Sequence, residues 1–302
     1  MITTKIPWAD STWNPVTGCR HECPYCYAKA WAHRFGGYEP RYGASLTQNG
    51  NGTYELGENE KKYRLEKNGK KSVAPYPFGF EPTLHRYRLD QPQKWVKPRN
   101  IFVCSMADLF GNWVPDGWIK EVMTAADKAT QHRYLFLTKN PFRYSNYGVP
   151  QDENKWYGTS VTAEKEVTRM NMLHAKNNFI SIEPLMEDLK PEQWGRDYFD
   201  RIRWIIIGAE TGSQAGKTAP QKEWVDKIAR QADKHGIPVF MKDSLIKAKT
   251  LTEKEMRREF PWGESWLAET AKELLANPDQ AILAPAGVEF RYDRLPIFMS
   301  AT

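Results

Sequence analysis

The sequence predicts an α/β fold: a partial or near-complete (β/α) barrel of the TIM type, with an insertion after the first βα unit. Short apolar runs recur along residues 101–241, and stretches with apolar residues at helical spacing separate them. This is the pattern of repeated βα units. Almost every run is followed by a polar or charged residue. In a βα barrel such residues, at the carboxyl ends of the strands, line the mouth where active sites form.

The predicted strands are mostly continuous apolar or β-branched runs, as expected where both faces of a parallel sheet are buried. They cover residues 101–105, 134–138, 156–161, 179–183, 204–208 and 237–241. The predicted helices cover residues 118–131, 164–176, 192–202 and 221–235. Pro115, Pro191 and Pro220 lie near helix starts, where proline is well tolerated.

Two segments do not follow the repeat. Residues 36–99 are interpreted as an insertion that covers the barrel mouth, and the Asn, Gly, Lys and Glu-rich stretch 48–71 within it predicts a surface hairpin. Residues 251–302 predict a C-terminal helical extension, with helices over 252–260 and 264–275. No linker composition separates these parts, so a single domain over residues 1–302 is expected.

Composition excludes several classes of protein. The chain has 302 residues, 40% hydrophobic and 26% charged, with a net charge of +6, which argues against a membrane protein and against disorder. The first ten residues have no cationic stretch followed by an apolar one, so a cytoplasmic protein without a membrane partner is expected. Four cysteines in such a chain favour metal or catalytic chemistry over a disulfide framework.

The cysteine cluster is the most specific motif. Cys19, Cys23 and Cys26 form a CxxxCxxC pattern, and three thiolates on one short loop can hold three irons of a four-iron cluster, leaving the fourth iron open. The alternative is a zinc site with His21 as fourth ligand. Zinc sites usually combine separated CxxC pairs, and His21 between two cysteines would strain a tetrahedral chelate. The spacing therefore favours an iron–sulfur cluster.

This spacing, with Tyr25 directly before the third cysteine, resembles the signature of the radical S-adenosylmethionine (SAM) superfamily. The resemblance implies that Cys19, Cys23 and Cys26 ligate a [4Fe-4S] cluster and that Tyr25 packs near the adenine of SAM. It implies reductive cleavage of SAM to a 5'-deoxyadenosyl radical that abstracts hydrogen from a substrate. An external one-electron reductant of the flavodoxin or ferredoxin type is then also expected.

Further blocks resemble, in the same order, the phage Gp37/Gp68 family, also called DUF5131. The stretch 240–244 departs from that family, because Phe-Met-Lys-Asp-Ser stands where Phe-Lys-Gln-Trp is typical. The Asn-Pro-x-x-Gly-Cys entry to the cysteine loop is also similar, more distantly, to the spore photoproduct lyases. The matching blocks are residues 13–19, 76–82, 105–111, 137–141, 181–184 and 207–212.

The resemblance assigns the strand ends to the cofactor. Ser105 and Asp108 take the place of the Gly-Gly-Glu motif of the radical SAM superfamily. They would accept hydrogen bonds from the methionine ammonium. Lys139 would pair with the methionine carboxylate. The alternative is that Asp108 and Lys139 pair with each other. Ser160 and Glu183 are candidates for the ribose hydroxyls.

Gly208, Ala209 and Glu210 would form the floor under the adenine or reach the substrate. Three further residues are candidate catalytic groups. His85 is a candidate substrate contact, or else a structural hydrogen bonder, and Lys242 directly follows the last predicted strand. Cys104 is a candidate hydrogen-atom donor, although its place inside a strand favours a buried core residue.

The substrate prediction comes from the insertion, where cations alternate with aromatic residues as in surfaces that stack on bases and follow a phosphate backbone. A radical enzyme acting on a nucleobase, in a nucleotide, DNA or RNA, is the favoured function. The alternative functions are radical modification of a peptide or small metabolite and a non-catalytic, metal-stabilised nucleic-acid-binding module. For the cations and aromatic residues themselves, the alternative is a solvated charged hairpin above a packed loop. The residues concerned are Lys61, Lys62, Lys67, Lys70, Lys71, Arg86 and Arg88 with Tyr63, Tyr76, Phe78, Phe80 and Tyr87.

Overall fold

A seven-stranded parallel sheet forms the frame of the protein and curls into a half-barrel. The computed structural model describes residues 4–36, 46–57, 64–67, 70–73, 75–211 and 218–263, all within the unit Met1–Ser265. The strands follow one another across the sheet in chain order. They are β1 (Ser11–Trp13), β8 (Asn100–Val103), β9 (Arg133–Thr138), β10 (Lys155–Ser160), β11 (Asn178–Ile182), β12 (Trp204–Ile207) and β13 (Val239–Met241).

The six predicted strands are confirmed, each with its start or end shifted by at most two residues. The α-helices are α1 (Tyr27–Phe35), α2 (Asp116–Asp127), α3 (Phe142–Tyr147), α4 (Arg196–Arg201), α5 (Lys222–Lys234) and α6 (Ser244–Lys247). Short 3₁₀ helices are Arg86–Arg88, Pro92–Lys94, Glu164–Met172, Pro191–Gln193 and Glu253–Glu255. The helix predicted over 164–176 is thus a 3₁₀ helix, and the one over 192–202 is divided at Gly195.

The side chains of the sheet alternate between two separate cores. Those facing the helices include Ile205 and Ile207, which belong to one cluster with Val122 of α2 and Ile228 of α5. The opposite, concave face carries an aromatic-rich cluster centred on Trp204. Its buried members are Trp8, Phe102, Leu135, Trp156, Phe179, Trp204, Ile206 and Phe240.

This aromatic layer fills the half-barrel at the amino ends of its strands. Along β9, β10, β11 and β13 the concave side changes from an aromatic or large apolar residue to a polar one at the carboxyl end, as in Phe179, Ser181 and Glu183. Gly158 allows the change in β10, because a Cβ there would lie 2.5 Å from the Phe179 ring. The concave face is therefore packed at its base and polar at its mouth.

The helix predicted over 252–260 is wrong beyond its first turn. After the 3₁₀ turn Glu253–Glu255, the chain runs antiparallel to β13, with Met241 N donating to Arg257 O at 2.8 Å and Glu259 N to Val239 O at 3.1 Å. The unpaired edge of β13 offers backbone groups that a helix could not satisfy. The predicted helix over 264–275 lies outside the described residues.

A second sheet combines one strand that precedes α1 with three strands of the segment interpreted as an insertion. Its strands are ordered β2 (Val16–Thr17), β7 (Thr83–His85), β4 (Tyr54–Leu56) and β3 (Leu46–Gln48). The hairpin of β5 (Arg64–Lys67) and β6 (Lys70–Val73) overlaps the predicted surface hairpin, while Lys61, Lys62 and Tyr63 lie outside the described residues. Within the described ranges, no helix is long and apolar enough to cross a membrane.

Candidate active site

A cavity of about 420 Å³ lies at the carboxyl ends of the parallel strands. Its floor includes Trp8 and Phe102 of the aromatic layer, and Phe80 joins its wall from the predicted insertion. The structure brings most of the predicted site residues together here. Those lining it are Cys19, Cys23, Tyr25, Cys26, Ser105, Asp108, Lys139, Ser160, Glu183, Glu210 and Lys242.

The cysteine loop, residues 19–26, is held at one end by backbone geometry and at the other by a side-chain cap. Gly18 has a φ of 86°, and a Cβ there would lie 2.2 Å from the Glu81 carbonyl oxygen, so glycine is required by both conformation and space. Cys19 N donates to Phe80 O at 3.1 Å. At the other end the Cys26 sulfur accepts from Lys29 N at 3.4 Å and caps α1.

Burial makes the metal-free thiols poor nucleophiles. It raises the pKa of Cys19 to about 12, and the negative charge of Asp108 adds to the effect. The pKa of Cys23 is also raised by burial, with partial compensation from the Lys139 ammonium. These two thiols are therefore protonated at neutral pH, and a metal would have to displace their protons on binding.

The loop offers soft sulfur donors to one cavity, a donor type that suits iron–sulfur clusters and zinc more than Mg²⁺ or Ca²⁺. In the described part of the chain, however, no three His, Cys, Asp or Glu side chains are already arranged to hold a metal ion. His21 Nε2 lies 2.7 Å from Asp108 Oδ2, a contact that histidines bound to a metal through their other ring nitrogen also make. The donor chemistry thus fits a thiolate-bound group, either a cluster with three protein ligands or zinc with His21 as the fourth.

Asp108 fastens the cysteine loop to the barrel. Besides His21, its carboxylate accepts hydrogen bonds from Lys139 N at 2.9 Å and Phe110 N at 3.0 Å. Burial raises the pKa of Asp108, but the hydrogen bond and charge of His21 and the Lys139 N–H outweigh it and hold the pKa below its usual value. Its contact with His21 places Asp108 to position the loop. The expectation that its carboxylate also accepts a hydrogen bond from the methionine ammonium stays a prediction, because a carboxylate with three hydrogen bonds keeps acceptor capacity.

Tyr25 provides a second attachment. Its hydroxyl accepts a hydrogen bond from Lys139 Nζ at 2.7 Å and lies 3.3 Å from Thr162 Oγ1, which in turn donates to Glu166 Oε2 at 2.8 Å. The Lys139 ammonium also lies 5.1 Å from the centre of the Tyr25 ring. The predicted alternative, a side-chain pair between Asp108 and Lys139, is therefore wrong, because only the Lys139 backbone reaches Asp108.

On the opposite side of the mouth, Lys242 forms an ion pair with Glu183. Gly208 lies against this pair, since a Cβ on it would be 3.2 Å from both Glu183 Cγ and Lys242 Cδ. Gly208 does not itself line the cavity. Glu210 accepts a hydrogen bond from Thr218 Oγ1, and it is buried at the cavity wall.

Two predicted catalytic residues lie outside the cavity lining. His85 is fully buried in the second sheet, with Nε2 2.8 Å from Thr17 Oγ1 and Nδ1 3.2 Å from Tyr87 Oη. These contacts match the structural interpretation of His85 instead of a substrate contact. Cys104 is buried directly after β8, and burial raises its pKa to about 12, in agreement with the core interpretation.

Other site residues were not singled out from the sequence. Asn14 Oδ1 accepts from Ser105 Oγ and Met106 N, each at 3.1 Å, and so holds Ser105 in place. Tyr27 Oη donates to Ser105 O at 2.8 Å. Ser181 lines the cavity between the aromatic layer and Glu183. The period of two along the strands could have revealed Ser181, because it shares a face with Phe179 and Glu183.

The attachment at Asp108 makes a direct prediction. In Asp108→Asn, the amide cannot accept all three hydrogen bonds, so we expect the cysteine loop to loosen and the free energy of unfolding to fall by about 1–3 kcal/mol. Labelling of Cys19 and Cys23 by a thiol reagent should accelerate. Asp116→Asn is the matched control, because the Asp116 side chain is 78% exposed. Equal labelling rates in the two variants would contradict the role assigned to Asp108.

Comparison with known proteins gives one family and one structural likeness. A family model described as "Protein of unknown function (DUF5131)" matches residues 3–266. Among solved structures, "Spore photoproduct lyase complexed with dinucleoside spore photoproduct" is similar at 13% identity and a TM-score of 0.41, covering 93% of this chain and 75% of that one. No curated protein sequence matches.

Proposed function

The chain belongs to the DUF5131 family, whose function is undefined, and we propose from its site that it is a radical SAM enzyme that abstracts hydrogen from a nucleobase. The substrate would be a base in a nucleotide, DNA or RNA, and the product a modified, rearranged or repaired base. The observation that carries the proposal is that the three thiols of the CxxxCxxC motif open into the same cavity as the polar strand ends.

Cys19, Cys23 and Cys26 would hold a [4Fe-4S] cluster, and SAM would lie against it. When bound, these cofactors supply one-electron chemistry and hydrogen abstraction, and the electron comes from an external reductant. The residues of the chain would bind and orient SAM and the substrate and shield them from water. The aromatic layer supports shielding, because Trp8 and Phe102 close the base of the cavity with buried apolar surface.

The polar side chains at the mouth of the cavity would orient SAM and the substrate. Lys139 carries its ammonium into the cavity wall beside Tyr25, and it suits the carboxylate of the methionine part of SAM. Ser160 lines the wall, and its hydroxyl suits the ribose. The ion pair of Glu183 and Lys242 presents both a carboxylate and an ammonium to the far side of the cavity, where hydroxyls or a polar base edge would bind.

Anaerobic reconstitution with iron and sulfide tests the proposal. We expect about four irons and about four sulfides per chain with visible charge-transfer absorption. Addition of dithionite and SAM should then release 5'-deoxyadenosine, and chain that received no iron is the control. Tight zinc binding without cluster formation would support the metal-stabilised module instead, and a reduced cluster that leaves SAM intact would refute the radical assignment.

A further inference from the structure

Helix α1 turns its aromatic side chains outward. Its buried residues are Ala28 and Ala32, whereas Tyr27, Trp31 and Phe35 expose 46%, 56% and 40% of their surface. In helices of globular proteins the large apolar side chains ordinarily face the core. In α1 the small residues pack inward and the aromatic ones are left for contact with something else.

These three residues, here called the α1 ridge, form one continuous stripe. Their spacing of four places them on one side of the helix, and the Trp31 and Phe35 ring centroids are 5.1 Å apart. The stripe runs for about 12 Å along the axis. It begins at the cavity, because Tyr27 lines the cavity wall and donates to Ser105 O.

Helix α1 itself carries only basic charge, while the Glu183 carboxylate approaches Tyr27 at the cavity end of the ridge. Helix α1 carries Lys29, His33 and Arg34 and no acidic residue, and the Arg34 guanidinium lies 5.4 Å from the Phe35 ring centre. At the cavity rim, Lys5 and Lys247 are exposed. No ion pair within the described residues involves either of them. An exposed aromatic stripe among cations that have no ion pair in the described part of the chain is complementary to a polyanion that carries flat, apolar rings.

We infer that the α1 ridge binds single-stranded nucleic acid and delivers one nucleotide to the cavity. Successive bases would stack on Phe35, Trp31 and Tyr27, while Arg34 and the rim lysines approach the phosphates. Proteins that bind single strands combine aromatic stacking with cationic tracks in this way. A duplex would not serve, because its bases are already stacked on each other. The inference deepens the proposed function and rests on it for the reaction, but not for the binding.

Fluorescence anisotropy with the full chain, without metal or SAM, tests the α1 ridge. The probes are a labelled oligothymidylate, an oligouridylate of the same length and a duplex of matched length. We expect both single strands to bind more tightly than the duplex, with affinity that falls as salt rises. The variant Trp31→Ala/Phe35→Ala should weaken single-strand binding between about 5-fold and 100-fold.

Phe142→Ala is the matched control, because Phe142 is a 56% exposed aromatic residue on α3 that does not line the cavity. Arg34→Gln should reduce the salt dependence without removing the preference for single strands. Equal affinity of the double variant and the wild-type chain would overturn the inference, as would equal losses in the double variant and Phe142→Ala. A large fall in melting temperature of the double variant with unchanged binding would show that another part of the chain covers the α1 ridge, and would also overturn it.

The binding result and the activity result fail separately. Oligonucleotide binding that depends on Trp31 and Phe35, in a chain that never cleaves SAM, would support nucleic-acid binding by the α1 ridge and refute the radical SAM activity. SAM cleavage in a chain that binds none of the probes would support the activity and refute binding by the α1 ridge. A difference between the thymidylate and uridylate probes would identify DNA or RNA as the preferred strand.

Discussion

Replacing Cys26 by alanine should abolish iron incorporation and 5'-deoxyadenosine formation together. The physical reason is that two thiolates cannot hold a four-iron cluster in the arrangement that leaves one iron open. Alanine also removes the sulfur that caps α1, so the metal-free variant should lose about 0.5–2 kcal/mol of stability. Iron and sulfide content, SAM cleavage and urea denaturation are the three measurements.

Two matched variants separate these effects. Cys26→Ser restores a capping oxygen but not a thiolate, so we expect its stability to recover while iron and activity stay lost. Cys104→Ala removes a thiol that does not line the cavity, and iron content should remain. Full iron loading of Cys26→Ser, or equal iron loss in Cys104→Ala, would refute the ligand assignment.

The largest loss of stability is expected for Trp204→Ala. Trp204 is fully buried, its indole N–H donates to Glu259 O at 2.8 Å, and it lies at the centre of the aromatic layer. Truncation leaves a large cavity and an unpaired carbonyl, so the free energy of unfolding should fall by about 3–5 kcal/mol. The midpoint of urea denaturation measures this loss.

Trp31→Ala provides the comparison, because Trp31 is 56% exposed and its removal should change stability by less than about 0.5 kcal/mol. Trp204→Phe should lie between the two, since it keeps a ring but loses the hydrogen bond to Glu259. A similar denaturation midpoint for Trp204→Ala and Trp31→Ala would show that the aromatic layer does not stabilise the half-barrel.

The strand positions and the cysteine site could be predicted because their signals are local. Apolar runs of strand length and three cysteines on one loop need no knowledge of distant contacts. The aromatic layer could not be predicted from the sequence, because both faces of the sheet are buried and Phe179 and Ile180 are then alike as apolar residues. Only their alternation separates the face that packs on helices from the face that closes the barrel.

Contacts between distant residues could not be predicted in the same way. His21 and Asp108 are 87 residues apart in sequence, and nothing in either neighbourhood specifies the pair. That Asp108 binds the cofactor stays a prediction, whereas its hydrogen bond to His21, which holds the cysteine loop, appears only in the structure. The helix predicted over 252–260 failed for a related reason, because the open edge of β13 recruits that segment by backbone pairing.

Among the described residues, the parallel sheet ends at β1 on one side and at β13 on the other, without joining into a closed ring. No hydrogen-bonded strand of the described ranges therefore closes the gap between these two ends. If the substrate is a polynucleotide, as we propose, its chain need not end at the mouth, and we expect a circular single strand to bind as well as a linear one of the same length.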